Sequence, residues 1–231
     1  MESHIETKIE QKRTFVPLQT SQEEIANTIT HGIGLLLSFA GLYSLVTYAS
    51  AHGTAWHVVG CTIYGVSLVF LYMASTMYHC WPCTGTKEVL RIMDHSCIFV
   101  LIAGSYTPFT LTFLRGPVGW ILLAVVWSMA IIGIGCKIFM KNRFEAETIS
   151  TVTYLVMGWL VILAIKPVIQ NVPGAALVWI GVGGAFYTLG IIFYVRDRKV
   201  PFFHAVWHLF VLGGSASHFY AVMNYVLPGQ G

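Results

Sequence analysis

The sequence predicts an all-α bundle of seven transmembrane helices, and three observations predict it. Of 231 residues, 56% are hydrophobic and 10% charged, with a mean hydropathy of +0.70. Soluble domains are nearer a quarter charged, and one soluble core of this size has no room for so much apolar surface. Apolar runs of about 20 residues, the length that crosses a bilayer, recur seven times. The lysines and arginines between those runs fall almost all on one side.

Residues 1–25 are polar and mixed in charge; they read as a short cytoplasmic tail and not as a cleavable signal peptide. The first span is expected at 27–49 and stops at Ser50–Ala55, which contains Gly53. The second, 56–79, ends on His79. The third, 91–113, carries Asp94 one turn from its start and a kinking Pro108. After Arg115-Gly116-Pro117 comes the fourth, 118–138, then the fifth, 149–167. Asn171-Val172-Pro173-Gly174 leads into the sixth, 174–195, whose Gly181–Gly184 stretch suits close helix packing. The seventh is 202–226. The loops are short, so 26–231 reads as a single membrane domain. A faint internal likeness, Ala103-Gly104-Ser105 against Gly213-Gly214-Ser215, is too weak for a repeat, and an odd number of spans argues against duplication.

Charge placement sets the expected orientation. Lys8, Lys12, Arg13, Lys87, Arg91, Lys137, Lys141, Arg143, Arg196, Arg198 and Lys199 all fall on one side, and only Arg115 and Lys166 on the other. Short basic loops stay in the cytoplasm, so the N-terminus is predicted inside and the C-terminus outside. The basic loops are then a topology signal and imply no nucleic acid. Five cysteines without regular framing argue against a disulfide scaffold.

Ionisable groups inside spans are costly and point to function. Alternating span direction brings the end of the second span (His79), the start of the third (Asp94) and the start of the seventh (His204, His208) to one depth. His204 and His208, four apart, share a helix face with Cβ atoms about 6 Å apart, the spacing of helical zinc sites. His79 would complete a three-ligand site with an open position for water. Asp94 would orient that water or take its proton, and Ser75, one turn before His79, would bond a ligand, a water or a substrate oxygen. Two bland readings stand beside this one: interfacial histidines bonding headgroups or backbone, and Asp94 paired with Arg91 three residues earlier.

Other polar residues are read more plainly. Asn27 and His31, with Glu23 and Glu24 before them, are either neighbours of the site or helix-start residues; capping by Asn27, Thr28 and Thr30 is preferred. His95 points about 100° away from Asp94 and is taken as an interhelical group. His218 is expected to make a buried hydrogen bond. Cys80-Trp81-Pro82-Cys83 has redox or zinc spacing, but a zinc knuckle needs a second pair, and cytoplasmic thiols stay reduced.

Glu23-Glu24-Ile25-Ala26-Asn27 with Thr30-His31-Gly32-Ile33-Gly34, Ala74-Ser75-Thr76-Met77-Tyr78-His79, Asp94-His95 with Ile102-Ala103-Gly104-Ser105-Tyr106-Thr107-Pro108-Phe109, and His204-Ala205-Val206-Trp207-His208 with Gly213-Gly214-Ser215 together resemble the haemolysin III family. That family is the bacterial branch of the progestin and adipoQ receptor superfamily, and the resemblance covers the chain beyond its tail. It implies a bacterial cytoplasmic (inner) membrane protein with an intramembrane zinc ion near the cytoplasmic face. His79, His204 and His208 match the ligands, Asp94 the position that holds the zinc's water, and Ser75 the serine beside it. The superfamily is similar in turn to alkaline ceramidases, which hydrolyse lipid amides.

Two functions follow as expectations. One is a zinc-dependent hydrolase of lipid amides drawn from the bilayer, with Asp94 as general base and Ser75 aiding the oxyanion. The other is a non-catalytic regulator of membrane homeostasis or energetics with a structural zinc. A cytolysin is a remote third. Membrane lipids are the expected partners.

Overall fold

The computed structural model describes residues 19–82, 85–139 and 144–227, so Cys83 and the tail before Gln19 lie outside the described residues. These form helices, with no strand among them: α1 Ser21–His52, α2 Ala55–Cys80, α3 Gly85–Thr112, α4 Pro117–Phe139, α5 Phe144–Trp159, α6 Ile165–Asn171, α7 Gly174–Tyr194 and α8 Phe203–Ala221. Among the described residues, six helical stretches are long and apolar enough to cross a membrane, α5 and α6 counting as one rod. The seventh is α8, 19 residues continued by a π-turn at Val222–Val226. It carries His204, His208 and His218, which dilute its apolar character.

Neighbours in sequence are neighbours in space: α1 with α2, α2 with α3, α3 with α4, and α7 with α8, while α1 against α8 closes the ring. The spans therefore alternate in direction. One end of the bundle, here the basic end, holds Lys87, Arg91, Lys137, Arg196, Arg198 and Lys199.

α1 starts where its cap dictates. The Thr20 hydroxyl accepts from the Glu23 N–H at 3.3 Å, and the Glu23 carboxylate accepts from the Thr20 N–H at 2.9 Å, a reciprocal box that satisfies two helix-start donors. The helix thus begins six residues earlier than the expected 27. Asn27, Thr28 and Thr30 lie inside it and cap nothing. α1 buries Glu23, Asn27, His31, Gly34, Ser38, Gly41, Leu45 and Ala49, spaced three and four apart as one helical face requires. Its opposite face exposes Ile29, Leu36, Leu37 and Tyr43 at 56–72%, which only a lipid solvent tolerates.

α2 is the most enclosed span. Around it Leu45, Tyr64, Leu68, Leu71, Tyr72 and Val211 form one core; Phe99, Val126, Ala130, Met157 and Val168 form another between α3 and the later helices. The helices meet closely: a Cβ on Gly60 would lie 2.8 Å from Pro108 Cα, and one on Gly183 would lie 2.2 Å from His218 Cδ2. Close packing was expected across Gly181–Gly184, and Gly183 carries it.

The fifth span, expected unbroken over 149–167, departs most. α5 gives way to a 3₁₀ turn at Leu160–Ala164 before α6 resumes. Pro167 in α6 lacks an N–H and crowds the carbonyl four residues before it. Tyr106 of α3 inserts its hydroxyl at the break. That hydroxyl donates toward the carbonyls of Met157 (2.8 Å) and Gly158 (2.9 Å) and accepts from the Val161 N–H at 3.1 Å, satisfying backbone groups that lipid cannot.

Candidate metal centre

Topology delivers four chemical groups to the basic end. His79 lies at the last turn of α2, Asp94 about two and a half turns into α3, and His204 and His208 in the first two turns of α8. Their relative exposures are 4, 7, 9 and 1%. The start of α8 is pinned by Phe202, which adopts a left-handed φ of 64°, a conformation that costs a non-glycine residue about 1 kcal/mol or more. Its N–H donates to Glu23 Oε1 at 2.8 Å, so the first turn of α1 helps to fix where His204 sits.

One ligand nitrogen from each of His79, His204 and His208 lies within 4.8 Å of the others. The Nδ1 of each ring is already engaged. His79 Nδ1 lies 2.6 Å from Glu24 Oε2, and His204 Nδ1 lies 2.7 Å from Asp197 Oδ2. A carboxylate only accepts, so both Nδ1 atoms carry the proton. His208 Nδ1 lies 3.1 Å from Thr30 Oγ1. That hydroxyl spends its own proton on the Ala26 or Asn27 carbonyl, each at 2.9 Å, so it accepts from His208. All three rings are thereby held in the tautomer whose Nε2 bears a lone pair. The Nε2 of His79 is buried with no hydrogen-bond partner. A buried bare acceptor costs about 1–3 kcal/mol unless something fills it. Nδ1–H held by a carboxylate and Nε2 left for an ion is the arrangement of histidine metal ligands, and imidazole nitrogens suit zinc. The donor set fits the ion the sequence led us to expect.

Glu24 also receives Lys87 Nζ at 2.7 Å, and Lys87 donates to the Trp81 carbonyl at 3.2 Å. Lys87 is 2% exposed, so one carboxylate joins α1, α2 and α3 through a buried cation. A second tie runs through Glu147, which accepts from Arg91 (2.7 Å) and Arg198 (2.6 Å). Arg91 is therefore spent on Glu147, and the alternative Asp94–Arg91 pair is not the one made.

Ser75 is fully buried, and its Oγ lies 2.6 Å from His31 Nδ1. The sequence placed Ser75 beside the ligands, but its hydrogen-bond partner is His31. Ser75, Asp94, His204, His208 and His31 line one cavity of about 450 Å³. From there the cavity runs between apolar side chains to Leu114 and Val172 near the opposite end. His79 is not part of its wall.

Two expectations about histidines hold and one does not. His95 bonds across helices, with Tyr154 OH on its carbonyl at 2.8 Å and Tyr194 OH 3.3 Å from its Nε2. His218 Nε2 lies 3.2 Å from the Ile180 carbonyl. His31 and Asn27 are the correction: neither caps. Asn27 Nδ2 lies 3.5 Å from His79 Nδ1, and the His31 ring stacks on His208 with centroids 3.5 Å apart and planes 11° from parallel. Sequence reading missed the partners Glu24, Thr30 and Asp197 as such. Glu24, Asn27 and His31 do form a polar stripe at helical spacing, which was the available signal; Asp197, in a loop, gave none. Cys80 is exposed and free.

Fold and site together define a class: a multipass α-helical membrane protein with a buried three-histidine cluster beside an apolar cavity. A sequence profile of the haemolysin-III related family matches residues 19–219, and the chain belongs to that family, the bacterial branch of the progestin and adipoQ receptor superfamily. It is 51% identical over 91% of its length to Hemolysin-3 of Bacillus cereus, 94% of which is covered. It is also 51% identical over 89% of its length to the Hemolysin-3 homolog of Bacillus subtilis, 95% of which is covered. More distantly, it is 29% identical over 90% of its length to human monocyte to macrophage differentiation factor, with 86% of that protein covered.

Proposed function

We propose that the chain binds zinc through His79, His204 and His208 and hydrolyses lipid amides within the bilayer. The observation that carries this reading is the convergence of three tautomerically fixed histidines with a buried carboxylate and hydroxyl at one end of a long apolar cavity. The cavity suits an acyl chain and puts its polar terminus beside Asp94 and Ser75. When bound, the ion would supply Lewis acidity toward a carbonyl and make water more acidic.

The chain's own groups do the rest. Asp94 takes a proton from the attacking water as its oxygen bonds to the carbonyl carbon. The Ser75 hydroxyl, in the same cavity wall, turns toward the developing oxyanion. Asp94 then returns its proton to the amide nitrogen as the C–N bond breaks, leaving a carboxylic acid and an amine. Apolar walls exclude other water.

We place the basic end in the cytoplasm and the chain in the bacterial cytoplasmic membrane, supported by the eleven-to-two charge bias and the Bacillus relatives. The lipid-facing surface of α1, α4, α5 and α7 fits a resident bundle better than the lytic role in those relatives' names. The test is zinc content and release of fatty acid from a fluorescent N-acylsphingosine in nanodiscs, for wild type, Asp94→Asn and His208→Ala. His208→Ala is expected to lose zinc. Asp94→Asn is expected to keep zinc and lose turnover about 100-fold or more. Zinc without turnover in the wild type would overturn the hydrolase and favour a structural ion in a membrane regulator.

A further inference from the structure

His218 has no part in the mechanism above, and it stands where a bilayer tolerates polar groups least. It lies on α8 ten residues beyond His208, about 15 Å along the helix axis. Ionisable side chains within a span are costly and point to function. Trp207, Val211, Gly214 and His218 recur every three or four residues and so share one face of α8. Trp207, Val211 and His218 all line the apolar cavity. The histidine is therefore part of the cavity wall, far from the metal cluster.

The two ring nitrogens differ. Nε2 lies 3.2 Å from the Ile180 carbonyl of α7. A carbonyl only accepts, so Nε2 carries the proton, and the other nitrogen of a neutral imidazole is an acceptor. The bond to Ile180 is no sufficient reason for a histidine here, because Ile180 lies inside α7, whose own ladder already uses that carbonyl. The Nε2–Cδ2 edge of the ring is turned to α7, since a Cβ on Gly183 would run into those two atoms first. Nδ1 is the ring atom opposite that edge and points away from α7. Among the described residues nothing hydrogen-bonds it. Nor is it sealed in, as the unpartnered His31 Nε2 and Tyr72 hydroxyl are, so it keeps open space beside it. A bare acceptor in an apolar wall is costly until a donor reaches it.

We propose that His218 recognises the tail of the bound lipid: its Nδ1 accepts a hydrogen bond from a hydroxyl group on the acyl chain. A staggered carbon chain with bonds of about 1.52 Å and angles near 111° advances about 1.25 Å per carbon. With the carbonyl beside Asp94 and Ser75, the 15 Å between His208 and His218 corresponds to about 12 carbons. The ligand class is thus an acyl chain hydroxylated near its twelfth carbon. A plain methylene chain leaves Nδ1 bare, whereas a hydroxyl there satisfies both groups. The proposal rests on the lipid-amide reading for the direction in which the chain lies, but it concerns recognition and needs no turnover.

The experiment compares N-octadecanoylglycine with its 12-hydroxy and 2-hydroxy forms. Equilibrium binding of each to the full-length protein in nanodiscs is followed by the fluorescence of the tryptophans, two of which, Trp159 and Trp207, line the cavity. Wild type is expected to bind the 12-hydroxy probe about tenfold more tightly than either of the others. His218→Asn keeps an acceptor where Nδ1 stood and is expected to hold that preference within threefold. His218→Leu has no acceptor and is expected to bind the 12-hydroxy probe no better than N-octadecanoylglycine. Both variants are expected to keep zinc at the wild-type level, which reports a folded bundle. Equal binding, or no binding, of the three probes by wild type overturns the proposal, because Nδ1 then serves a water or the fold alone. So does a preference for the 2-hydroxy probe, which puts the recognising group at the polar end of the cavity. A 12-hydroxy preference that survives in His218→Leu overturns it too. The comparison of probes on wild type decides the matter even where a variant does not fold. Failure of the hydrolase reading appears separately, as wild type that prefers the 12-hydroxy probe and cleaves no amide.

Discussion

Glu24 offers the sharpest separation of metal binding from folding. Its carboxylate holds the His79 Nδ1–H at 2.6 Å and the nearly buried Lys87 ammonium at 2.7 Å. Glu24→Ala removes two things at once. His79 loses the partner that fixes its tautomer and ring orientation, and loss of such an outer partner typically costs 10–100-fold in metal affinity, or about 1.4–2.7 kcal/mol. Lys87, 2% exposed, keeps only the Trp81 carbonyl and the face of Tyr78, 5.2 Å from its ammonium; a buried charge stripped of its ion-pair partner destabilises by about 3–5 kcal/mol. Lys87→Met removes the orphaned charge. The double variant Glu24→Ala/Lys87→Met is therefore expected to recover most of the lost thermal stability while its zinc affinity stays 10–100-fold low. Affinity is read by competition with a chelator of known strength, and stability by thermal unfolding in the same detergent. Unchanged zinc affinity in Glu24→Ala, or its full recovery with stability in the double variant, would refute the reasoning, because either shows that Glu24 does not act through His79.

Three further predictions follow from single contacts. Asp197→Asn replaces the charged acceptor of His204 Nδ1 and is expected to weaken zinc about tenfold in the same competition. Tyr106→Phe leaves the backbone groups at the 3₁₀ break without their hydroxyl; a loss of about 1–3 kcal/mol is expected in thermal unfolding, with zinc content unchanged. Gly183→Ala drives a methyl to 2.2 Å from the His218 ring. It is expected to destabilise by about 1–3 kcal/mol, and His218→Ala in the same chain should return part of that loss by removing the obstructing ring.

The spans were legible in the sequence because a bilayer imposes one simple demand, a long run of apolar residues; α2, α4 and α7 meet it with ends within a residue of those expected, while α1 and α3 each start six residues earlier. The break between α5 and α6 was not, although Pro167 was in plain view, because the group that stabilises it, the Tyr106 hydroxyl, comes from a helix 55 residues away. The same division runs through the site. His79, Asp94, His204 and His208 could be brought to one depth by counting spans, since topology alone fixes depth. Whether an imidazole offers Nε2 or Nδ1 depends on Glu24, Thr30 and Asp197, whose contacts are made by side chains across the bundle or out of a loop. His31 and Asn27 were read as helix-start residues because the true cap, Thr20 with Glu23, lies two turns earlier in a segment that looks like tail.

The measurement that bears most directly on the central claim is zinc stoichiometry with X-ray absorption on the purified protein, beside His79→Ala, His204→Ala and His208→Ala. One zinc per chain with about three nitrogen neighbours at about 2.0–2.1 Å, lost in each of the three variants, is the predicted result. Protein that takes up no zinc, or a His79→Ala variant that keeps the ion at wild-type affinity, would contradict the account.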